Sequence, residues 1–310
     1  ISNILNFEKD FPEAKTIKLE QNYRSTKNIL AAANAVIKNN ENRKPKKLWT
    51  ENATGEKLSL YQADDERDEA RFVVDTVQKH KTLFSVNYGE VAVLYRTNAQ
   101  SRVLEEAMMA AGLPYTMVGG LKFYDRMEIK DIIAYLHVLY NPFDAVSLLR
   151  IINVPKRGIG AATIAKLTEY AAMHEESLFD VLSSPDVFEV LGFKTRTKNQ
   201  LEVFAALLFE LMGKIGAMSL SAFMETLLED TGYIKDLESQ ETPEAQTRIE
   251  NLHEFVGVAR EFEKTEAEPS LENFLNHVAL ISDVDTANME EDRVTLMTLH
   301  SAKGLEFPRV

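Results

Sequence analysis

The sequence predicts an α/β protein with a mostly parallel sheet and a large all-helical domain inserted into it. Three observations carry the prediction. Strand and helix patterns alternate up to Val118, helical periodicity then runs from about Arg126 to Asp285, and strand character returns only at Arg293–Thr298. Repeated β-α units imply parallel strands covered by helices. A helical stretch framed by strand patterns reads as an insertion, giving a division into 1–124, 125–285 and 286–310.

Each element has its own signal. Lys15-Thr-Ile-Lys-Leu-Glu20 alternates polar and apolar and reads as a strand, and Ser25 or Thr26 then opens a helix through Ile29, Leu30, Ala33 and Ile37. A strand Leu58-Ser-Leu-Tyr61 precedes a helix over 65–81 with Phe72, Val73 and Val77 on one face. The strand Val91–Tyr95 leads into a helix over 101–111 closed by Gly112 and Pro114, and a short strand Tyr115–Val118 ends at Gly119-Gly120. In the middle, Ile129, Ile132, Ile133, Leu136 and Leu139 form one apolar face, and Leu201, Phe204, Leu207, Leu208 and Leu211 another. Thr242-Pro243 starts a further helix whose buried side holds Leu252, Phe255, Val256 and Ala259.

The 310 residues are 45 % apolar and 27 % charged, within the range of soluble proteins. No apolar run approaches a membrane span. The start, Ile1-Ser2-Asn3-Ile4-Leu5, has neither Met nor a charged-then-apolar leader, so no secretory signal is expected and the chain reads as cut from something longer. The absence of Cys excludes disulfides, thiolate zinc sites and thiol nucleophiles, and fits a cytoplasmic location. A net charge of −13 argues against nucleic acid until it is located. Residues 221–292 hold 19 acidic and 4 basic side chains, which leaves 29 acidic and 31 basic elsewhere. The body of the chain is therefore near neutral, and the acidic helices over 221–292 are a candidate face for protein partners.

Two strand-to-turn edges can carry chemistry. In Leu19-Glu-Gln-Asn-Tyr-Arg-Ser-Thr26, Arg24 offers a fork of donors for phosphate and Tyr23 a flat face for a base. The same residues also fit a Ser25 helix cap with Arg24 paired to a carboxylate. In Val294-Thr-Leu-Met-Thr-Leu-His-Ser-Ala-Lys-Gly-Leu-Glu-Phe307, amides near Gly304 can approach a nucleotide and Glu306 can accept from a ribose hydroxyl. Thr295 and His300 can bond a backbone phosphate, or His300 can simply be satisfied within a tight turn. Lys38, Arg43, Lys44, Lys46 and Lys47 with Trp49 fit a DNA patch, or equally a solvated helix end.

Taken together, these segments resemble motifs IV and V of the UvrD/Rep/PcrA group of superfamily 1 DNA helicases. Leu94-Tyr-Arg-Thr-Asn-Ala-Gln-Ser-Arg102, Gly119-Gly-Leu-Lys-Phe-Tyr-Asp-Arg-Met-Glu-Ile-Lys-Asp131 and Asn153-Val-Pro-Lys-Arg-Gly-Ile-Gly160 match in the expected order. Ile4-Leu5-Asn6-Phe7 is similar to the text just after motif III. The resemblance implies an incomplete RecA-like motor domain carrying the family's mobile helical insertion. It implies an ATP-dependent 3′ to 5′ translocase of DNA repair and replication, working on single-stranded and duplex DNA. Tyr23 would stack on adenine, Arg24 would reach the γ-phosphate, and Gly304 and Glu306 would contact the nucleotide. Arg96, Asn98, Thr295 and His300 would hold the single strand. Gly158, Ile159, Gly160 and Thr163 would approach duplex DNA through the amides opening a helix over 161–172, with Lys130 adding charge.

The phosphate-binding pattern Gly-x-x-x-x-Gly-Lys-Ser/Thr does not occur, and no strand ends in an Asp-Glu pair. The family's final motif is also missing. The expected arrangement is thus that ATP and its Mg²⁺ are held mainly by the first motor domain, the N-terminal half of the same helicase, and that this chain alone does not hydrolyse ATP. Two rivals remain at this point: the motor part of a RecB- or AddA-like helicase–nuclease, and a non-enzymatic DNA or protein docking module.

Overall fold

A computed structural model describes residue 7 and residues 11–15, 17–40, 46–283 and 292–310. The chain forms two compact units, residues 1–63 and 64–310.

The first unit is organised around helix α1, Lys27–Ile37. Its N-cap Thr26 makes no side-chain cap bond, so the first-turn amides are satisfied by backbone. Lys27 N–H donates to the Ala53 carbonyl and Asn28 N–H to that of Thr54, each at 3.1 Å. Gly55 makes this close approach possible. It has φ +74°, and a Cβ there would lie 2.5 Å from Thr26 Cβ. Asn34 clamps Leu48 by donating to its carbonyl at 2.8 Å and accepting its N–H at 3.2 Å.

The strands expected over 15–20 and 58–61 are not formed; Thr16 lies outside the described residues. Gln21 and Trp49 make one parallel bridge, and neither segment has a ladder partner among the described residues. Alternation supplies a strand's pattern, but a parallel strand also needs a neighbour's amides and carbonyls. Leu60, expected inside a sheet, is 97 % exposed.

The second unit begins with α2, Glu66–Phe84, whose N-cap Asp65 accepts the N–H of Arg67 at 3.0 Å and of Asp68 at 2.8 Å. Then come β1 (Ala92–Tyr95), α3 (Ser101–Ala110) and β2 (Tyr115–Val118). Gly112, at φ +64°, turns the chain after α3, and Leu113 N–H returns to the Met108 carbonyl at 2.9 Å. The helices α4 (Met127–Tyr140), α5 (Ala145–Ile151), α6 (Ala161–His174), α7 (Leu178–Leu182) and α8 (Pro185–Val190) follow. They continue with α9 (Thr195–Lys214), α10 (Leu220–Asp230), α11 (Tyr233–Glu238), α12 (Pro243–Thr265) and α13 (Leu271–Asp283), and β3 (Val294–Thr298) closes the series.

The sheet order is β1-β3-β2, all parallel, with Thr295 opposite both Ala92 and Thr116. The last strand in sequence thus fills the place between the first two, so α4 to α13 leave one sheet and return to it. Val91 bridges Arg309 in parallel along the free side of β1. Ala70, Val74 and Val77 of α2 and Leu104 and Met108 of α3 pack on Tyr95, Tyr115, Val294 and Leu296. A separate, larger core fills the helical part around α4, whose Ile129, Ile132, Tyr135 and Leu136 are fully buried.

Both crossings between sheet and helices are pinned by polar groups. At the first, Arg126 is only 6 % exposed. It donates to Asn251 Oδ1 of α12 at 2.8 Å, to Ser101 Oγ at 2.8 Å and to the Asn98 carbonyl at 2.9 Å. Asn251 in turn donates to Glu128 Oε1 at 2.6 Å, and Glu105 accepts from Ser101 Oγ at 2.5 Å and Phe123 N–H at 3.2 Å. Burial lowers the Arg126 pKa, partly countered by Glu105 and Glu128. Burial, with Glu105 beside it, pushes the Tyr95 hydroxyl up to about 12. Arg102 bonds Glu254 of α12 at 2.6 Å and Glu106 at 2.9 Å. At the second crossing, Asp292 accepts the N–H of Gly89 at 2.7 Å and of Tyr88 at 2.9 Å, and pairs with Lys81 at 3.0 Å. The domain boundary expected at 285/286 falls outside the described residues.

Candidate nucleotide and nucleic-acid interface

The Asn22–Ser25 loop is shaped by asparagines, not by a serine cap. Asn22 Oδ1 accepts the N–H of Arg24 at 3.0 Å and of Ser25 at 2.8 Å. Asn52 Nδ2 donates to the Tyr23 carbonyl at 3.0 Å and the Ser25 carbonyl at 3.2 Å. Ser25 does not cap α1; Thr26 holds the N-cap position. The loop presents the Tyr23 ring 77 % exposed and Arg24 also exposed, with Tyr23 Oη donating to Gln21 Oε1 at 2.9 Å. Asn22 carries a readable signal, an Asx turn within Asn-Tyr-Arg-Ser. Asn52 reaches the loop from 27 residues away and carries none. Of the basic patch, Lys38, Lys46, Lys47 and Trp49 are described, while Arg43 and Lys44 lie outside the described residues. Trp49 serves the fold through its backbone, donating to the Glu20 carbonyl at 3.0 Å and accepting from Asn22 N–H at 2.7 Å.

In the second unit, the carboxyl ends of the strands gather several of the expected residues. Arg96, just past β1, has Nη1 3.4 Å from Nδ1 of His300, just past β3. Gln100 Oε1 accepts the Arg96 N–H at 2.9 Å and fixes the turn. Asn98 belongs to the same turn, and its carbonyl is held by Arg126. Thr298 and Ser301 lie here too, their hydroxyls 3.0 Å apart, with Ser301 against Gly119, where a Cβ would lie 2.5 Å from its Oγ. Ligands bind at this edge in parallel α/β sheets. Thr295 is not brought to it: three residues back along β3, it is 8 % exposed and paired on both sides. Thr298 occupies the place sequence reasoning gave to Thr295. Gly304, at φ +93° with open space around it, and exposed Glu306 lie in the turn after β3.

The loop before α6 is the third candidate. Gly160 is the N-cap of α6 without any side-chain cap bond, and Gly158 adopts φ +78°. Asn153 Oδ1 supports the loop by accepting the N–H of Arg157 at 2.8 Å and of Ile159 at 3.3 Å. Arg157 is a strut, donating to the carbonyls of Ile151 at 2.9 Å and Val154 at 3.0 Å while stacking 4.6 Å over Phe204. Ile159 is fully buried and its N–H is taken by Asn153, so it anchors the loop from within. Thr163 is half-buried in the first turn of α6. Lys130 is exposed on α4 but paired with Asp125 at 2.6 Å, which offsets the charge expected there.

A guanidinium and an aromatic ring are the groups that suit the phosphates and base of a nucleotide. Tyr23 and Arg24 are exposed, and among the described residues no three His, Asp or Glu side chains group to hold a metal ion. No described helix is long and apolar enough to cross a membrane.

Comparison with known proteins agrees with this arrangement. The chain is 49 % identical over its whole length to the ATP-dependent DNA helicase PcrA of Staphylococcus epidermidis (strain ATCC 35984), spanning 42 % of that relative's length. It has the same identity and coverage with the ATP-dependent DNA helicase PcrA of Staphylococcus aureus (strain Mu50). The UvrD-like helicase C-terminal domain profile matches residues 17–310. With that match covering nearly the whole chain, the chain belongs to the UvrD-like helicase C-terminal domain family.

Proposed function

We propose that the chain is the second motor half of an ATP-dependent DNA helicase, supplying one wall of the nucleotide site and part of the DNA track. The observation that carries this reading is the convergence of Arg96 and His300, distant in sequence, at the carboxyl edge of the sheet. Two donors on separate strand ends suit a phosphodiester backbone and read no bases, as a translocase requires. Asn98 joins them in that grip, with Thr298 and Ser301 beside it.

The nucleotide roles follow from side-chain chemistry. The Tyr23 ring stacks on adenine, Glu306 accepts from the ribose, the turn at Gly304 admits the nucleotide backbone closely, and Arg24 donates to the γ-phosphate. Mg²⁺ and the main phosphate-binding loop belong to the first motor domain, the N-terminal half of the same helicase. An arginine supplied from a second domain stabilises charge on the transferring phosphoryl group and is worth roughly 10³–10⁵ in rate in GTPase examples. ATP favours closure onto Arg24 and loss of the γ-phosphate releases it, so single-strand grip alternates and the motor advances. The 3′ to 5′ direction, the work in repair and replication, and the cytoplasmic location rest on family resemblance. The proposed division stays at 1–124 and 286–310 for the motor domain and 125–285 for the insertion. That insertion meets duplex DNA at Gly158–Thr163, with Lys130 adding charge and buried Ile159 anchoring the loop. The acidic helices over 221–292 are left for protein partners.

In the complete helicase, Arg24→Ala leaves nucleotide affinity largely unchanged and lowers DNA-stimulated turnover by at least about 10³. Equilibrium nucleotide binding and steady-state hydrolysis on one preparation check this. Normal turnover removes Arg24 from the role.

A further inference from the structure

At the first crossing between sheet and helices, the Arg126 guanidinium is held from several sides. Its Nη atoms donate to Asn251 Oδ1, to Ser101 Oγ and to the Asn98 carbonyl, and its Nε donates to the Leu121 carbonyl at 3.4 Å. Its plane lies 5.1 Å from the Phe123 ring. Leu121, Phe123, Asn98 and Ser101 all belong to the segment that carries β1, α3 and β2. Asn251 does not: it sits in the middle of α12, 125 residues further along the chain, on a helix of the insertion. Its amide is also fixed in orientation. Asn251 is 3 % exposed, and because the Glu128 carboxylate can only accept, Nδ2 faces Glu128 and Oδ1 is left for Arg126.

The other end of this run of bonds is the turn that carries Arg96 and Asn98. Gln100 Oε1 accepts the N–H of Arg96 at 2.9 Å and of Thr97 at 3.1 Å, which closes the turn on itself. That local interaction sets the shape of the turn. The Arg126 bond to the Asn98 carbonyl, made from 28 residues away, sets where the turn lies at the sheet edge. The approach of Arg96 to His300 depends on that placement. A binding constellation works only when its groups are held to within about 0.5 Å, and outer contacts of this kind do the holding.

The geometry points to Asn251 as a positioning residue for the grip on single-stranded DNA, acting through Arg126 on the Asn98 turn. Being buried, Asn251 does not touch the strand. Without its side chain, one Nη of Arg126 loses its acceptor and Glu128 loses a donor. The guanidinium is then drawn toward the buried carboxylates of Glu105 and Glu128, and its hold on the Asn98 carbonyl slackens. The inference rests on the reading of Asn98 as a single-strand contact, and it makes a helix of the insertion part of the support of that contact.

The test uses the complete helicase, with a labelled oligothymidylate as the single strand and ATP hydrolysis followed against strand concentration. Asn251→Ala weakens strand binding about tenfold and raises the strand concentration for half-maximal hydrolysis to match, while the maximal rate stays within about twofold. The double variant with Asn98→Ala binds at most about twofold more weakly than Asn98→Ala alone, because both changes act on one contact. Val256→Ala, on the buried side of the same helix, opens a cavity without touching Arg126 and keeps the parental affinity, which a merely structural effect would not. Asn251→Ser, one bond too short to reach Arg126, takes the place of Asn251→Ala if that variant does not fold. Loss in Asn98→Ala with parental affinity in Asn251→Ala overturns the positioning role and leaves the grip reading standing. Parental affinity in Asn98→Ala overturns the grip reading and the positioning role with it. Additive losses in the double variant, or an equal loss in Val256→Ala, also overturn the positioning role.

Discussion

Two arginines in separate motif-like segments have different surroundings. Arg24 is exposed, on a loop whose backbone is fixed by Asn22 and Asn52. Arg126 is buried, and its donors go to Ser101, the Asn98 carbonyl and Asn251. In the sequence Arg24 follows Tyr23 directly, and Arg126 lies two residues after Tyr124. Burial separates them: Arg126 commits its donors to the fold and is a strut, while Arg24 sits on a built loop at the surface. Arg157 belongs with Arg126, its donors going to the Ile151 and Val154 carbonyls of its own segment.

That contrast can be broken by stability measurements on the chain. Arg126→Ala is expected to cost about 3–5 kcal/mol, because Glu105 and Glu128 lose their buried counter-charge and Asn251 a partner. Denaturant unfolding measures it, and a cost below about 1 kcal/mol would put Arg126 with Arg24 instead. Arg24→Ala itself should stay within about 0.5 kcal/mol, as exposed substitutions do.

A second probe sharpens the comparison on the loop side. Asn52→Ala removes the two donations to the Tyr23 and Ser25 carbonyls, at a cost of about 1–2 kcal/mol. In the complete helicase it should also lower turnover through a misplaced Arg24, while nucleotide affinity falls less. Wild-type turnover in that variant would mean the loop holds its shape without Asn52.

The smallest effect concerns pH at the second crossing. Burial alone would raise the Asp292 carboxyl, but the amides of Gly89 and Tyr88 and the Lys81 ammonium hold it below its ordinary value. A depressed folded-state value means its contribution is present above the ordinary carboxylate range and is lost as pH falls through the folded value. Asp292 is partly exposed, so screening limits the effect to about 0.5–1 kcal/mol. Stability of Asp292→Asn compared with the parent should differ at pH 7 and converge at low pH. A constant gap across that range would show that charge is not the cause.

Sequence legibility followed the same physical line. β1, β2, β3 and the long helices were readable because each carries its own period and finds its partners within one unit. Lys15–Glu20 and Leu58–Tyr61 have strand patterns, but pairing is non-local and periodicity cannot supply it. Arg96 and His300 were readable as residue types at strand ends, while their meeting depends on β3 lying beside β1. Thr295 and Thr298 are both threonines of one strand, and only register tells which reaches the edge. Asn52 and Asn251 act across long sequence gaps and leave no local trace.

The central claim is that this chain supplies one wall of an ATP site whose phosphate loop and metal belong to another part of the helicase. The most direct test is hydrolysis by the purified 310-residue chain with ATP, Mg²⁺ and single-stranded DNA. The account predicts no turnover above background at any DNA concentration; measurable DNA-stimulated ATP hydrolysis by this chain alone would contradict it.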